Sequence, residues 1–142
     1  MAIIKEKTFK IISEIDNYDE NGNLWGESEK SENLCRGFLK ITDEEMSISY
    51  AEQNENGKTV SDITVTKDGI RVKRRGALTS DMLFSEGVTD KSLYEVAPHA
   101  FDVEIFTRKI RNSLTKDGGR IDIFYNMKIG GAEKSVRMKI EC

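Results

Sequence analysis

Apolar and polar side chains alternate along almost the whole chain with a period of two residues. The clearest case is segment 70–75, where Ile70, Val72 and Arg74 share one face and three basic residues share the other. Successive side chains point to opposite faces of a β-strand, so this period indicates half-buried strands. No segment of useful length has the helical period. The chain is therefore predicted to be all-β.

Glycine and Asn/Asp residues separate these stripes at the intervals typical of sandwiches and barrels. Nine or ten strands are predicted, the first over about 6–16, followed by a polar loop over about 17–31. Asp68-Gly69 predicts a type I′ hairpin turn. After Ile105 the apolar register shifts, which predicts a β-bulge in a long strand.

Serial hairpins make successive strands neighbours, and closing such a meander removes its exposed edges. We therefore predict a single antiparallel up-and-down β-barrel over residues 1–142, with Ile70, Val72, Ile123 and Met138 inside. A two-sheet sandwich is the alternative, because the same stripes would permit it.

Composition limits the partners and the compartment. The net charge is −3, divided as −7 over residues 1–66 and +4 over residues 67–142. The isoelectric point of about 5.3 argues against a nucleic-acid partner. The sequence shows no signal peptide and no apolar run near the ~20 residues that span a bilayer. With only Cys35 and Cys142, the chain is too poor in cysteine for a disulfide scaffold, so we expect a cytoplasmic protein without membrane partners.

Several segments resemble the YwiB-like family of bacterial proteins, which are small barrels grouped with the calycins, the superfamily of the lipocalins. The matching segments are 70–76, 82–87, 94–98, 101–107 and 121–140. Arg74-Arg75-Gly76 fits the Arg-x-Gly of the family pattern, and Tyr94 to Pro98 fits the start of its Tyr…Pro-Tyr-Gly segment, where this chain has His99-Ala100 instead. The resemblance implies a lipocalin-like barrel and no assigned activity.

Arg74 is the first candidate for a binding residue. Its neighbours on the same face are apolar, so alternation places it in the barrel interior, where an arginine needs an acceptor. One interpretation is that Arg74 holds a ligand carboxylate or phosphate. The other is that it plugs or rims the barrel end, paired with a backbone carbonyl or an aspartate.

Five further residues complete the predicted ligand-binding set. They share apolar stripes or stand near the expected barrel mouth: Tyr50, Met82, Tyr94, Thr107 and Tyr125. A mostly apolar cavity with a few polar groups is the general form of a small-molecule site. The alternative is that the tyrosines are core residues whose hydroxyls reach backbone acceptors.

No catalytic or metal-binding motif accompanies these residues. His99 is the single histidine, and the carboxylates are scattered in loops. We therefore expect no enzyme activity, no cofactor and no metal. The first hypothesis is a barrel that binds a small, partly apolar anion in its interior. The alternatives are a barrel filled by side chains that serves as a structural or protein-interaction module, and a basic outer surface that binds RNA. The sequence predicts no oligomeric state.

Overall fold

The computed structural model describes residues 2–142, and every regular element in this range is a β-strand. Each strand pairs antiparallel with its neighbours, and β10 pairs with β1 to close the sheet in chain order. The ten strands are β1 Ile3–Tyr18, β2 Glu29–Ile41, β3 Met46–Asn54, β4 Gly57–Thr66, β5 Gly69–Gly76, β6 Thr79–Phe84, β7 Thr89–Val96, β8 His99–Asn112, β9 Arg120–Ile129 and β10 Ala132–Glu141. The predicted all-β class and closed barrel are confirmed, and the sandwich alternative is wrong.

The first two strands are longer than the sequence pattern predicts. β2 begins at Glu29, inside the segment 17–31 that was predicted to be a loop. Residues 29–33 pair with the second half of β1, and Lys10 Nζ lies 3.0 Å from Glu32 Oε1 across the pair. Opposite charges on neighbouring strands support such pairing. The acidic composition of this segment therefore does not reveal a strand that forms through pairing with β1 and the ion pair with Lys10.

The hairpin that opens β5 differs in type from the prediction. The prediction centred the turn on Asp68-Gly69, whereas the structure pairs Thr66 with Gly69 and so centres it on Lys67 and Asp68. A type I′ turn requires positive φ at both central residues. Within residues 2–142 only glycines have positive φ, so the type I′ prediction is wrong. Gly69 follows the turn with φ near 144°, and a Cβ there would lie 2.4 Å from the Phe84 carbonyl oxygen. Glycine is needed at this position because another residue would have a strained φ and its Cβ would clash with that oxygen.

The predicted bulge in β8 is confirmed. The register with β9 shifts between Thr107 and Lys109, which leaves Arg108 as the extra residue. Thr107 therefore remains inside the barrel with Ile105, and Ile110 resumes the inward face beyond the bulge. Bulges of this kind let a long strand bend around a barrel.

The loops alternate between two ends of the barrel. One end, which we call the packed end, carries loops 42–45, 67–68, 85–88 and 113–119. The other, which we call the cavity end, carries loops 19–28, 55–56, 77–78, 97–98 and 130–131. The large fully buried side chains fill the lumen from the packed end to its middle, among them Phe9, Leu39, Ile48, Ile63, Ile70, Phe84, Ile105, Ile121 and Ile140. The predicted interior positions Ile70, Val72, Ile123 and Met138 are all buried, which confirms that prediction.

The barrel wall is opened between β6 and β7. These strands share two residue pairs, Thr79 with Glu95 and Ser80 with Tyr94. Every other pair of neighbouring strands in residues 2–142 shares at least five. Beyond Ser80 the strands separate, and one side chain crosses the opening, where Asp90 Oδ2 accepts a 2.9 Å hydrogen bond from the Leu83 N–H. We call this opening the β6–β7 gap.

Candidate ligand-binding cavity

A row of polar side chains divides the lumen. It consists of five inward-facing residues on five consecutive strands, paired edge to edge, and we call it the polar row: Tyr50, Ser61, Arg74, Ser80 and Tyr94. The adjacent row toward the packed end is entirely apolar: Leu39, Ile48, Ile63, Val72 and Met82. Because side chains on one face of neighbouring strands lie side by side, polarity changes abruptly at this level of the barrel.

Arg74 extends from the polar row across the lumen. Its Nη2 lies 3.7 Å from the sulfur of Met138 on β10, and a thioether is a weak acceptor. Among residues 2–142, no carboxylate forms an ion pair with Arg74. The inward direction predicted for Arg74 is confirmed. The interpretation that it is paired with an aspartate or a backbone carbonyl is wrong for the described residues.

Four buried hydroxyls of the barrel interior make no hydrogen bond of normal geometry in the described chain, although those of Tyr50 and Ser61 interact with each other. They belong to Tyr50, Ser61, Ser80 and Thr107, each at most 5% exposed. A buried polar group without a partner costs about 1–3 kcal/mol of stability. Native proteins keep such groups where water or a ligand supplies the missing bond.

A cavity of about 380 Å³ opens above the polar row at the cavity end. Its polar lining comes from Ser13, Glu52, Asn54, Thr59, Arg74, Tyr94, Tyr125 and Lys134. Its apolar lining comes from Ile15, Leu78, Met127, Ile129, Val136 and Met138. Two cationic groups and one carboxylate face this space, which leaves it with a net positive charge.

The structure brings part of the predicted site set together. Arg74, Tyr94 and Tyr125 line the cavity. Tyr50 and Thr107 are buried beside it: Tyr50 belongs to the polar row, and Thr107 pairs with Tyr125. Met82 lies in the apolar row beneath and packs in the core. The part that these residues play in ligand binding stays a prediction.

Ser61 was missed by the sequence analysis, although a pattern for it exists. It lies two residues before Ile63 on the same face of β4, so the stripe continues through it. The two-residue turn between β4 and β5 also places Ser61 directly opposite Arg74. Following the hairpin register across the turn would have found it.

The tyrosines next to Arg74 are held in their neutral form. Burial raises the pKa of Tyr125 to about 12, and the positive charge of Arg74 partly opposes this. Burial likewise raises the pKa of Tyr50, again opposed by Arg74. Both phenols thus remain hydrogen-bond donors near the guanidinium throughout the physiological pH range.

The raised pKa of Tyr125 predicts a loss of stability at alkaline pH. The unfolded phenol ionises near 10, whereas the folded one ionises near 12. The stabilising contribution of neutral Tyr125 is therefore complete below pH 10. Between pH 10 and pH 12 the free energy of unfolding falls by up to about 1.4 kcal/mol per pH unit. Urea unfolding from pH 9 to pH 12 measures this fall in the free energy of unfolding. In the Tyr125→Phe variant the free energy is expected to fall less steeply with pH. An unchanged slope in the variant would contradict a buried neutral Tyr125.

The basic residues on the outer face of β5 are largely paired with acids. Arg71 Nη1 lies 3.3 Å from Asp81 Oδ2, and Arg75 Nη2 lies 3.1 Å from Asp62 Oδ2. These exposed pairs contribute little to stability, and they reduce the positive charge that the strand presents to solvent.

A larger groove suits an anion poorly, although it shares Ser92 with the gap and Ile129 with the cavity. It has a volume of about 1110 Å³ and runs beside loop 19–22 and across β7, β8 and the β9–β10 hairpin. Its charged lining consists of two lysines and five acids: Lys91, Lys128, Asp19, Glu20, Asp102, Glu104 and Glu133. We therefore assign the candidate site to the smaller cavity, where Arg74 lies.

Other chemistry-bearing arrangements are scarce. In residues 2–142 no group of three or more His, Cys, Asp or Glu side chains is placed to hold a metal ion. The same residues contain no helix with the length and apolar character needed to cross a membrane.

Comparison with known proteins shows the family to which the chain belongs. A family model described as "Domain of unknown function (DUF1934)" matches residues 13–140. The chain belongs to this family. The DUF1934 match covers the whole polar row and both sides of the β6–β7 gap.

A relative and a solved structure agree with this assignment to DUF1934. The chain is 26% identical over 109 residues to the "Uncharacterized beta-barrel protein YwiB" of Bacillus subtilis (strain 168), covering 77% of each chain. It is also similar to the crystal structure of the ywiB protein from Bacillus subtilis, with a TM-score of 0.78 and 24% identity over 97% of this chain and 92% of that one. The resemblance deduced from the sequence is confirmed, and the structural match shows the shared barrel fold.

Proposed function

We propose that this barrel is a non-catalytic binding protein for a small, partly apolar organic anion, which it holds in the cavity above the polar row. The observation that carries the proposal is Arg74. Its guanidinium crosses the lumen, lines the cavity and has no ion-pair partner among residues 2–142.

The electrostatics of the cavity favour an anion over a neutral ligand. The guanidinium of Arg74 is half-buried and lines this space. An oxyanion can form two parallel charge-assisted hydrogen bonds with it, and such bonds are stronger where solvent is partly excluded. Lys134 at the mouth adds a second positive charge, while Glu52 accepts a 3.1 Å hydrogen bond from Asn33 Nδ2.

The size and lining of the cavity define the rest of the ligand. A volume of about 380 Å³ lies near the lower limit of small-molecule pockets, roughly 300–1,000 Å³. Six apolar side chains line it, so a short hydrocarbon or aromatic body fits beside the charged group. The ligand class is therefore a small carboxylate or phosphate ester with an apolar body.

Thermal unfolding with matched probes tests this proposal. Decanoate and phenylacetate are expected to raise the melting temperature in proportion to ln(1 + [L]/Kd), and neutral decanol is expected to raise it much less. The alcohol is the control, because it has the same hydrocarbon body without the charge. Equal stabilisation by acid and alcohol, or none by either, would contradict the proposal.

We also propose a cytoplasmic location and a relationship to the calycins. The two cysteines support the first, since Cys35 and Cys142 are both unpaired. The closed meander of ten strands in chain order supports the second.

A further inference from the structure

The β6–β7 gap and the cavity share Arg74 as a lining residue. The gap is an open depression of about 480 Å³ where the two strands separate. The Arg74 side chain therefore borders both spaces. The gap therefore reaches the same cation as the cavity from a different direction.

The charges around the gap favour an anion. Five cationic and three acidic side chains line it: Arg71, Lys73, Arg74, Arg75, Lys91, Asp81, Asp90 and Glu95. Arg71 is paired with Asp81, Arg75 is paired with Asp62, and Asp90 accepts a hydrogen bond from the Leu83 N–H. Three cationic side chains, Lys73, Arg74 and Lys91, therefore remain against Glu95. Within residues 2–142, Lys73 and Lys91 form no ion pair.

Two buried hydroxyls in the gap lack hydrogen-bond partners. Ser80 is 5% exposed and lies directly beside Arg74 on the neighbouring strand. Ser92 lines the gap from β7, and its hydroxyl oxygen is also buried. Neither hydroxyl has a partner in the described chain. Two hydroxyl donors and a guanidinium are a suitable set for an oxyanion.

We propose that the inner end of the β6–β7 gap is the oxyanion subsite of the barrel, where Arg74, Ser80 and Ser92 bind the carboxylate or phosphate of the ligand while its apolar body occupies the cavity. This inference rests on the proposed function and specifies how the ligand lies. It also explains why β7 has an inner face of polar residues, Asp90, Ser92 and Tyr94, in a barrel whose other inner faces are mostly apolar.

Serine-to-alanine variants test the subsite. Calorimetric titration with decanoate and with decyl phosphate compares the wild type with Ser80→Ala/Ser92→Ala. We expect the double variant to bind at least one probe about tenfold more weakly for each hydroxyl lost, because a hydrogen bond to a charged group contributes about that factor. The probe that loses more identifies which oxyanion the subsite prefers.

Ser49→Ala is the matched control, because Ser49 lies on the outer face of β3 and lines neither the gap nor the cavity. Its binding is expected to equal that of the wild type. Ser61→Ala is a second comparison: it removes a buried hydroxyl from the other neighbour of Arg74, but Ser61 does not line the gap, so it should lose less affinity than the double variant. Circular dichroism and thermal melts confirm that each variant is folded.

Each of the other possible results contradicts a different part of the proposal. If the double variant binds both probes as the wild type does, the subsite is wrong and the cavity function stands. If Ser61→Ala weakens binding equally, the effect belongs to the polar row in general and the gap is again the wrong place. If the wild type binds neither probe, the proposed function fails, and the subsite fails with it.

Discussion

Replacement of Arg74 by methionine is expected to abolish carboxylate binding while leaving the fold intact. The guanidinium supplies the charge that the ligand requires, and losing one partner of a desolvated charged pair costs roughly 2–5 kcal/mol. Affinity for decanoate should therefore fall at least about 30-fold. Stability should stay the same or rise, because no carboxylate in residues 2–142 is left unpaired and the methionine stem still fills the space.

The control for this experiment is the same substitution at an exposed arginine. Arg36 lies on the outer face of β2, and its side chain is 79% exposed beside Glu6. Arg36→Met should change neither binding nor stability appreciably. If Arg74→Met instead lost about 3–5 kcal/mol of stability, Arg74 would have a protein carboxylate as its partner, contrary to the structure.

Two isoleucines on one strand should respond very differently to truncation. Ile121 is fully buried toward the packed end of β9, whereas Ile129 lines the cavity at the other end of the same strand. Ile121→Ala is expected to cost about 2–5 kcal/mol, because it removes buried contacts and leaves a void. Ile129→Ala should cost less than about 1 kcal/mol, because it only widens an existing space.

Chemical denaturation measures both changes in the free energy of unfolding. The comparison holds residue type and strand constant, so it reports the packing at each end of the barrel. Equal losses at the two positions would mean that the lumen is filled along its whole length, which would remove the cavity on which the binding proposal depends.

Much of this architecture could be predicted from alternation alone. The stripe Ile70, Val72, Arg74 correctly placed an arginine inside, because the side-chain period of a strand is two whatever its neighbours are. The bulge in β8 was predictable for the same reason, since an extra residue changes the phase of the pattern at Thr107. Strand ends were less predictable: the acidic start of β2 becomes a strand only through its pairing with β1.

The cavity and the gap could not be predicted from the sequence pattern. A stripe shows which side chains point inward, but the space between them depends on how ten strands curve around the lumen. The polar row is a property of register across five strands, and Ser61 gains significance only opposite Arg74. The separation of β6 from β7 beyond Ser80 could not be predicted from the stripes, although β7 differs from its neighbours in having a polar inner face.

The central claim is that Arg74 binds an anionic group inside the barrel, and a crystal structure with decanoate tests it most directly. We predict density for the carboxylate within hydrogen-bond distance of the Arg74 guanidinium, with the hydrocarbon chain among Ile15, Met127 and Val136. A decanoate molecule bound only on the outer surface, with Arg74 still against Met138 and the cavity filled by solvent, would contradict the account.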